Sequence, residues 1–181
     1  SLRISPILLV YTSSRMFYTM GMKVLILGGN SPRHYDWNRQ LAAALSKAGH
    51  EPIIHDYMHW QTGGPLAAIE SEIASAAAAM KSEPSYAIIA KSIGTVIAVL
   101  GVARGALHPK KCILLGVPHT GIAGDTADFL PSMATLPRTL FVQNEHDPYG
   151  SAEGLDALLE RSCPPAYELA VIFGNTTHDY V

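Results

Sequence analysis

The segment Tyr86-Ala-Ile-Ile-Ala-Lys91-Ser92-Ile93-Gly94-Thr95 runs an apolar stretch of strand length straight into a serine, with Ala90 two residues before it and Gly94 two after. A strand that turns at once into a helix brings its end against the helix's first turn, and only small residues at the flanks fit there. Such a turn aims the serine hydroxyl out of the sheet edge. It also presents the Ile93 N–H at a helix N-terminus, where a developing oxyanion is stabilised. A serine hydroxyl at its ordinary pKa is a weak nucleophile, so this chemistry requires a histidine base and an acid that orients it. Both types follow in the chain. Phe141-Val-Gln-Asn-Glu-His-Asp147-Pro-Tyr-Gly150 is an apolar run ending in a loop that holds an aspartate, and a later run ends in Phe173-Gly-Asn-Thr-Thr-His178. Singly, each residue has a structural reading: Ser92 as a helix cap, Asp147 as the start of a turn before Pro148, His178 as a solvated histidine near a chain end. Together, Ser92, Asp147 and His178 stand just past the ends of three expected strands, in the order serine, acid, histidine. That arrangement suits attack on an acyl carbonyl.

The elements that must hold these residues alternate along the chain. Short apolar runs bounded by Gly, Pro or polar residues predict strands over 23–27, 51–55, 86–90, 111–116, 139–143 and 168–173. Between the first two, Trp37, Leu41, Leu45 and Ala48 recur at helical spacing over 35–48, and Gly49 stands where a helix C-terminus favours positive φ. A second helix is predicted over 65–80, opening on Pro65 and carrying Leu66, Ile69, Ile73, Ala76 and Met80 on one face. The stretch 93–104 is apolar nearly all round and should be the most buried helix. Weaker patterns cover 125–136, interrupted by Pro131, and 151–160. The alternation predicts a single-domain α/β fold, a parallel sheet of about six strands with helices on both faces.

Composition agrees with one domain. The 181 residues are 48% hydrophobic and 15% charged, which suits strands buried on both faces. A net charge of -2 with no Lys/Arg-rich run leaves no electrostatic footprint for nucleic acid. Cys112 and Cys163 stand far apart in settings that fit neither a disulfide framework nor a metal cluster, so both read as reduced and structural, which favours the cytoplasm. The apolar run Ile7 to Tyr11 is too short to span a bilayer and no small-residue cleavage site follows it. No membrane association is expected. The domain is expected over 22–181, with 1–21 an extension whose order the sequence leaves open. His34, His55 and His59 lack a matching Cys or carboxylate spacing, so no metal site and no cofactor is expected.

On these residues the chain resembles the α/β-hydrolases, and among them the compact esterase-like serine hydrolases without a large lid, over roughly 22–181. The resemblance implies a Ser92–His178–Asp147 triad that cleaves a carboxylic ester, or a related acyl bond, of a small-molecule substrate through an acyl-enzyme. It further implies that the loop Gly28-Gly29-Asn30-Ser31-Pro32 provides a second oxyanion N–H from around Gly29 and Asn30, beside that of Ile93. Trp37 is similar to a tryptophan that packs by the site in some small members, and reads equally as a core anchor of its helix.

Three departures from the family pattern stand out. Lys91 precedes the nucleophile where many members carry His or another residue; it either lines the pocket and attracts an anionic group or packs its stem on the sheet with its head in water. The two antiparallel strands that open larger members are missing, unless Ile4 to Tyr11 forms one. Only three residues follow His178 where a final helix is usual, a gap that a second subunit of a homodimer would cover.

Alternatives stay open at the acid and the base. Asp125 or Asp128 would replace Asp147 if the acid follows the preceding strand, and His119 is a rival base that more readily lines the cleft. A different class of function is a non-catalytic α/β binding module, or a pseudo-hydrolase, whose Gly28-Gly29-Asn30 loop cradles an anionic small ligand. That glycine spacing matches neither the dinucleotide nor the Walker pattern.

Overall fold

The computed structural model describes residues 21–121, 127–162 and 164–180. Within them the apolar runs form six strands: β1 (Lys23–Leu27), β2 (Glu51–His55), β3 (Tyr86–Lys91), β4 (Lys111–Leu115), β5 (Arg138–Asn144) and β6 (Tyr167–Ile172). All neighbours pair in parallel, in the order β2-β1-β3-β4-β5-β6. Every residue of β3 is buried, Tyr86 to Ala90 as their unbroken apolar run requires, and Lys91 with them. The chain steps outward from β1 to β2 and then returns to place β3 on the other side of β1. The winding therefore reverses between β1 and β3, and the loops leaving these two strands part to form a crevice at the sheet's C-terminal edge.

The helices are α1 (Tyr35–Lys47), entered through a 3-10 turn at Pro32–His34, α2 (Met58–Thr62), α3 (Ile69–Met80), α4 (Ile93–Ala103), α5 (Phe129–Ser132) and α6 (Ala152–Ser162). Side chains alternate along the strands, so β1 sends Leu25 and Leu27 to one face and Val24 and Ile26 to the other. On the first face, Ile73 of α3, Val96 and Leu100 of α4, Phe129 of α5 and Leu155 of α6 complete the larger core. On the second, Trp37, Leu41 and Leu45 of α1 join Ile89, Leu115, Val142 and Tyr180. α4 is buried from Ile93 to Gly101, as expected from its apolar circumference.

Two expected helices differ. The one over 65–80 begins only at Ile69, because Pro65 and Ala67 bond through their backbone to the Asn30 side chain. Ahead of it stands the short α2, closed by Gly63 at φ 75°. Of the stretch 125–136, residues 125 and 126 lie outside the described residues, and the rest is α5 followed by a 3-10 turn at Met133–Thr135. Pro131 is tolerated there because it falls in a first turn, where its missing N–H would have no intrahelical acceptor. The other elements match within two residues. The run Ile4 to Tyr11 and Cys163 also lie outside the described residues. Among the described residues the chain passes from β6 to Tyr180 without a further helix, and no helix is long and apolar enough to cross a membrane.

Candidate active site

Ser92 occupies the link between β3 and α4 at φ 54° and ψ -121°. Among the described residues no other non-glycine residue has positive φ. Such a conformation costs on the order of 1–3 kcal/mol and persists only where the surroundings impose it. Here the Ser92 N–H donates to the Leu115 carbonyl at 3.0 Å, while the Ser92 carbonyl accepts from the Thr95 N–H at 2.8 Å and hydroxyl at 2.7 Å. The small flank at Gly94 is a steric requirement: a methyl there would lie 2.3 Å from the Leu27 carbonyl oxygen and 2.8 Å from that of Gly28. α4 thus starts in direct contact with the end of β1.

The three residues singled out by the sequence meet. His178 Nε2 lies 2.8 Å from Ser92 Oγ, and Nδ1 lies 2.7 and 2.9 Å from the two Asp147 oxygens. With Nδ1 donating to the carboxylate, Nε2 is left to accept the serine proton. Asp147 is buried, which on its own would raise its pKa; hydrogen bonds from His178, the Tyr180 hydroxyl and the Tyr149 N–H outweigh this and hold the carboxyl below its ordinary value. The Tyr180 hydroxyl donates to Asp147 Oδ2 at 2.6 Å and accepts from the Asn144 N–H at 2.9 Å. Burial, with the Asp147 carboxylate beside it, pushes the Tyr180 phenol far up, so it stays a neutral donor.

The segment that carries His178 is tied down on two sides. Asn144 at the end of β5 donates its amide to the Thr177 carbonyl at 2.8 Å, and Trp37 Nε1 donates to the Tyr180 carbonyl at 2.8 Å. Trp37 is therefore both an anchor in the α1 core and a clamp on this segment. The Tyr149 ring meets the His178 ring, their centroids 4.7 Å apart. Nothing in the sequence pattern flagged Tyr180, Asn144 or Tyr149; the signal was only that each lies within three residues of a triad candidate.

The Gly28-Gly29-Asn30 loop is fixed by the segment after β2. Tyr57 donates its hydroxyl to the Gly28 carbonyl at 2.8 Å, and the Asn30 carbonyl accepts from His59 Nε2 at 2.7 Å and Trp60 Nε1 at 2.8 Å. Both ends of the Asn30 side chain are engaged as well, with the Pro65 carbonyl and the Ala67 N–H, each at 3.0 Å. Gly29 is needed for contact: a methyl there would lie 1.9 Å from His34 Nδ1.

Lys91 departs from the reading of a solvated head. It is fully buried on the α1 side of β3, with Nζ 5.3 Å from the Trp37 ring centroid and without a hydrogen-bond partner. Burial pushes its pKa down, and the charge of Asp179 opposes that. It lines a cleft of about 520 Å³ together with His34, Arg33, Trp37 and Asp179. His119 is not brought there: its Nε2 lies 3.1 Å from the Ser151 carbonyl and its ring packs on Gly150 and Gly154, where any methyl would collide with it. Asp128 is exposed at the start of α5, its carbonyl bonded to Ser132, and Asp125 lies outside the described residues. Cys112 is buried and unpaired, its thiol pushed up to about 12 by burial.

No protein-family model matches the sequence, and no curated protein matches it. Solved structures do match. The chain superposes on a serine hydrolase homologue from Coxiella burnetii with a TM-score of 0.66 at 16% identity, over 89% of this chain and 79% of that one. The fold is that of the α/β-hydrolases. A cold-adapted esterase from an Arctic intertidal metagenomic library gives 0.64 at 18% identity, covering 90% and 75% of the two chains. A lipase in its open form gives 0.62 at 15%, covering 86% and 83%.

Proposed function

We propose that this α/β-hydrolase fold carries a serine hydrolase that cleaves a carboxylic ester, or a related acyl bond, of a small substrate. The observation that carries the reading is the unbroken hydrogen-bonded line from Ser92 Oγ through the His178 ring to the buried Asp147 carboxylate. His178 removes the Ser92 proton as Oγ attacks the acyl carbon, and Asp147 holds the ring and stabilises the imidazolium that forms. The tetrahedral oxyanion is received by the N–H of Ile93, which as the first residue of α4 has no intrahelical acceptor, and by the N–H of Asn30. His178 returns its proton to the leaving alcohol, and the acyl-enzyme is then opened by a water that His178 deprotonates.

The test is hydrolysis of 4-nitrophenyl acetate by wild type, Ser92→Ala and His178→Ala. Each variant is expected to lower kcat by about 10⁴ or more. Wild-type turnover no faster than that of Ser92→Ala would remove the reading and favour a binding module built on the Gly28-Gly29-Asn30 loop.

A further inference from the structure

Lys91 sits one residue before Ser92, and its ammonium is enclosed without a hydrogen-bond acceptor. An ammonium has three N–H donors and is rarely buried unless something accepts from it. The groups around it do not fill that role. Trp37 presents a ring face, at 5.3 Å from Nζ. Asp179 acts on Lys91 through its charge and stands exposed at the rim, as does Asp36. The cleft is lined by both Lys91 and Asp179, the residues next to Ser92 and His178 in the sequence. Its inner wall is therefore a cation and an aromatic face, and its outer edge carries charges of both signs, Arg33 among them.

We propose that this cleft is a subsite for a carboxylate on the substrate itself, with Lys91 Nζ as its ion-pair partner and Trp37 packing on the chain that carries it. This deepens the hydrolase reading and rests on it. A monoanion fits better than a phosphate dianion, because the two rim carboxylates, Asp36 and Asp179, oppose a second negative charge. Entry of the carboxylate gives the ammonium the acceptor it lacks, in a site where water competes little.

The experiment has two arms for the position of the carboxylate and one readout that does not depend on turnover. For an acid-side carboxylate, kcat/KM is compared for mono-4-nitrophenyl adipate and 4-nitrophenyl hexanoate, with spontaneous hydrolysis subtracted. For an alcohol-side carboxylate, 4-acetoxybenzoate is compared with its methyl ester. At least one anionic member is expected to exceed its neutral partner by about tenfold or more, the gain of one charge-assisted hydrogen bond. Lys91→Met, which fills similar volume without a charge, should bring that ratio to near one, and Lys91→Arg should restore part of it.

In parallel, calorimetric titration with hexanoate and hexanamide should show the carboxylate binding at least tenfold more tightly to wild type, and equally weakly with the amide to Lys91→Met. Equal binding of the two by wild type, or an anion preference that survives in Lys91→Met, overturns the proposal. Ser92-dependent turnover of the neutral esters alongside that result would leave the hydrolase reading standing. Should Lys91→Met fail to fold, the wild-type comparison of hexanoate with hexanamide still decides.

Discussion

At Tyr180 one hydroxyl serves two buried groups, donating to Asp147 and accepting from the Asn144 N–H. Tyr180→Phe leaves that N–H without a partner and should cost about 1–3 kcal/mol, read as a lower urea midpoint. The same variant removes a donor that holds the Asp147 pKa down, so the Asp147 carboxyl titration, followed by NMR, should move up; an unmoved titration would make Tyr180 purely structural. Asp147→Asn should lower kcat by about 10⁴, because an amide no longer fixes the reactive tautomer of His178.

Because the native Asp147 pKa lies below its ordinary value, its ionised form stabilises the fold at neutral pH, and this contribution is lost as pH falls through the lowered native value. The difference in urea midpoint between wild type and Asp147→Asn should therefore hold steady at neutral pH and narrow only as pH falls below about 4, the ordinary carboxyl value. A difference that widens on acidification would contradict it. The triad candidates themselves were legible because each follows an apolar run. Their supports were not, since Tyr180 and Asn144 act through contacts across 36 residues that no local pattern encodes.

Between β3 and α4 the decisive constraint is backbone against backbone. Gly94→Ala would press a methyl into the Leu27 and Gly28 carbonyls, neither of which is the yielding end of a flexible side chain. The expected result is a loss of about 1–3 kcal/mol in stability with a larger loss of activity, as the Gly28-Gly29-Asn30 loop and the Ser92 turn are forced apart. Thermal melting and ester turnover measured on the same sample check this; full stability and full activity together would remove the steric argument. This requirement was readable in advance, because a small residue after a strand-end serine has a geometric cause. The break between α2 and α3 was not. Leu66, Ile69 and Ile73 share a helical period, but Pro65 and Ala67 are taken by the Asn30 side chain from a loop 35 residues earlier. Tertiary bonding there overrides a local propensity that spacing alone reported as one helix.

Across the whole molecule, six parallel strands in the order β2-β1-β3-β4-β5-β6 place the reversal point between β1 and β3. That topology explains why residues from far-apart segments share one crevice. β1 delivers the Gly28-Gly29-Asn30 loop, β3 delivers Ser92, β5 delivers Asp147, and the segment after β6 delivers His178. The alternation of apolar runs and helical periods revealed this architecture from sequence, because a doubly covered parallel sheet leaves few other ways to bury such strands. The buried, unpartnered state of Lys91 was not revealed, since residue type alone favours a solvated head.

In the proposed reaction the strained serine at the end of β3 is a nucleophile activated by His178. Intact-mass measurement after treatment with a fluorophosphonate tests it most directly. One adduct per chain should form on wild type, map to Ser92, and be absent from both Ser92→Ala and heat-unfolded protein. An unmodified wild type, or an adduct that persists in Ser92→Ala, would contradict it.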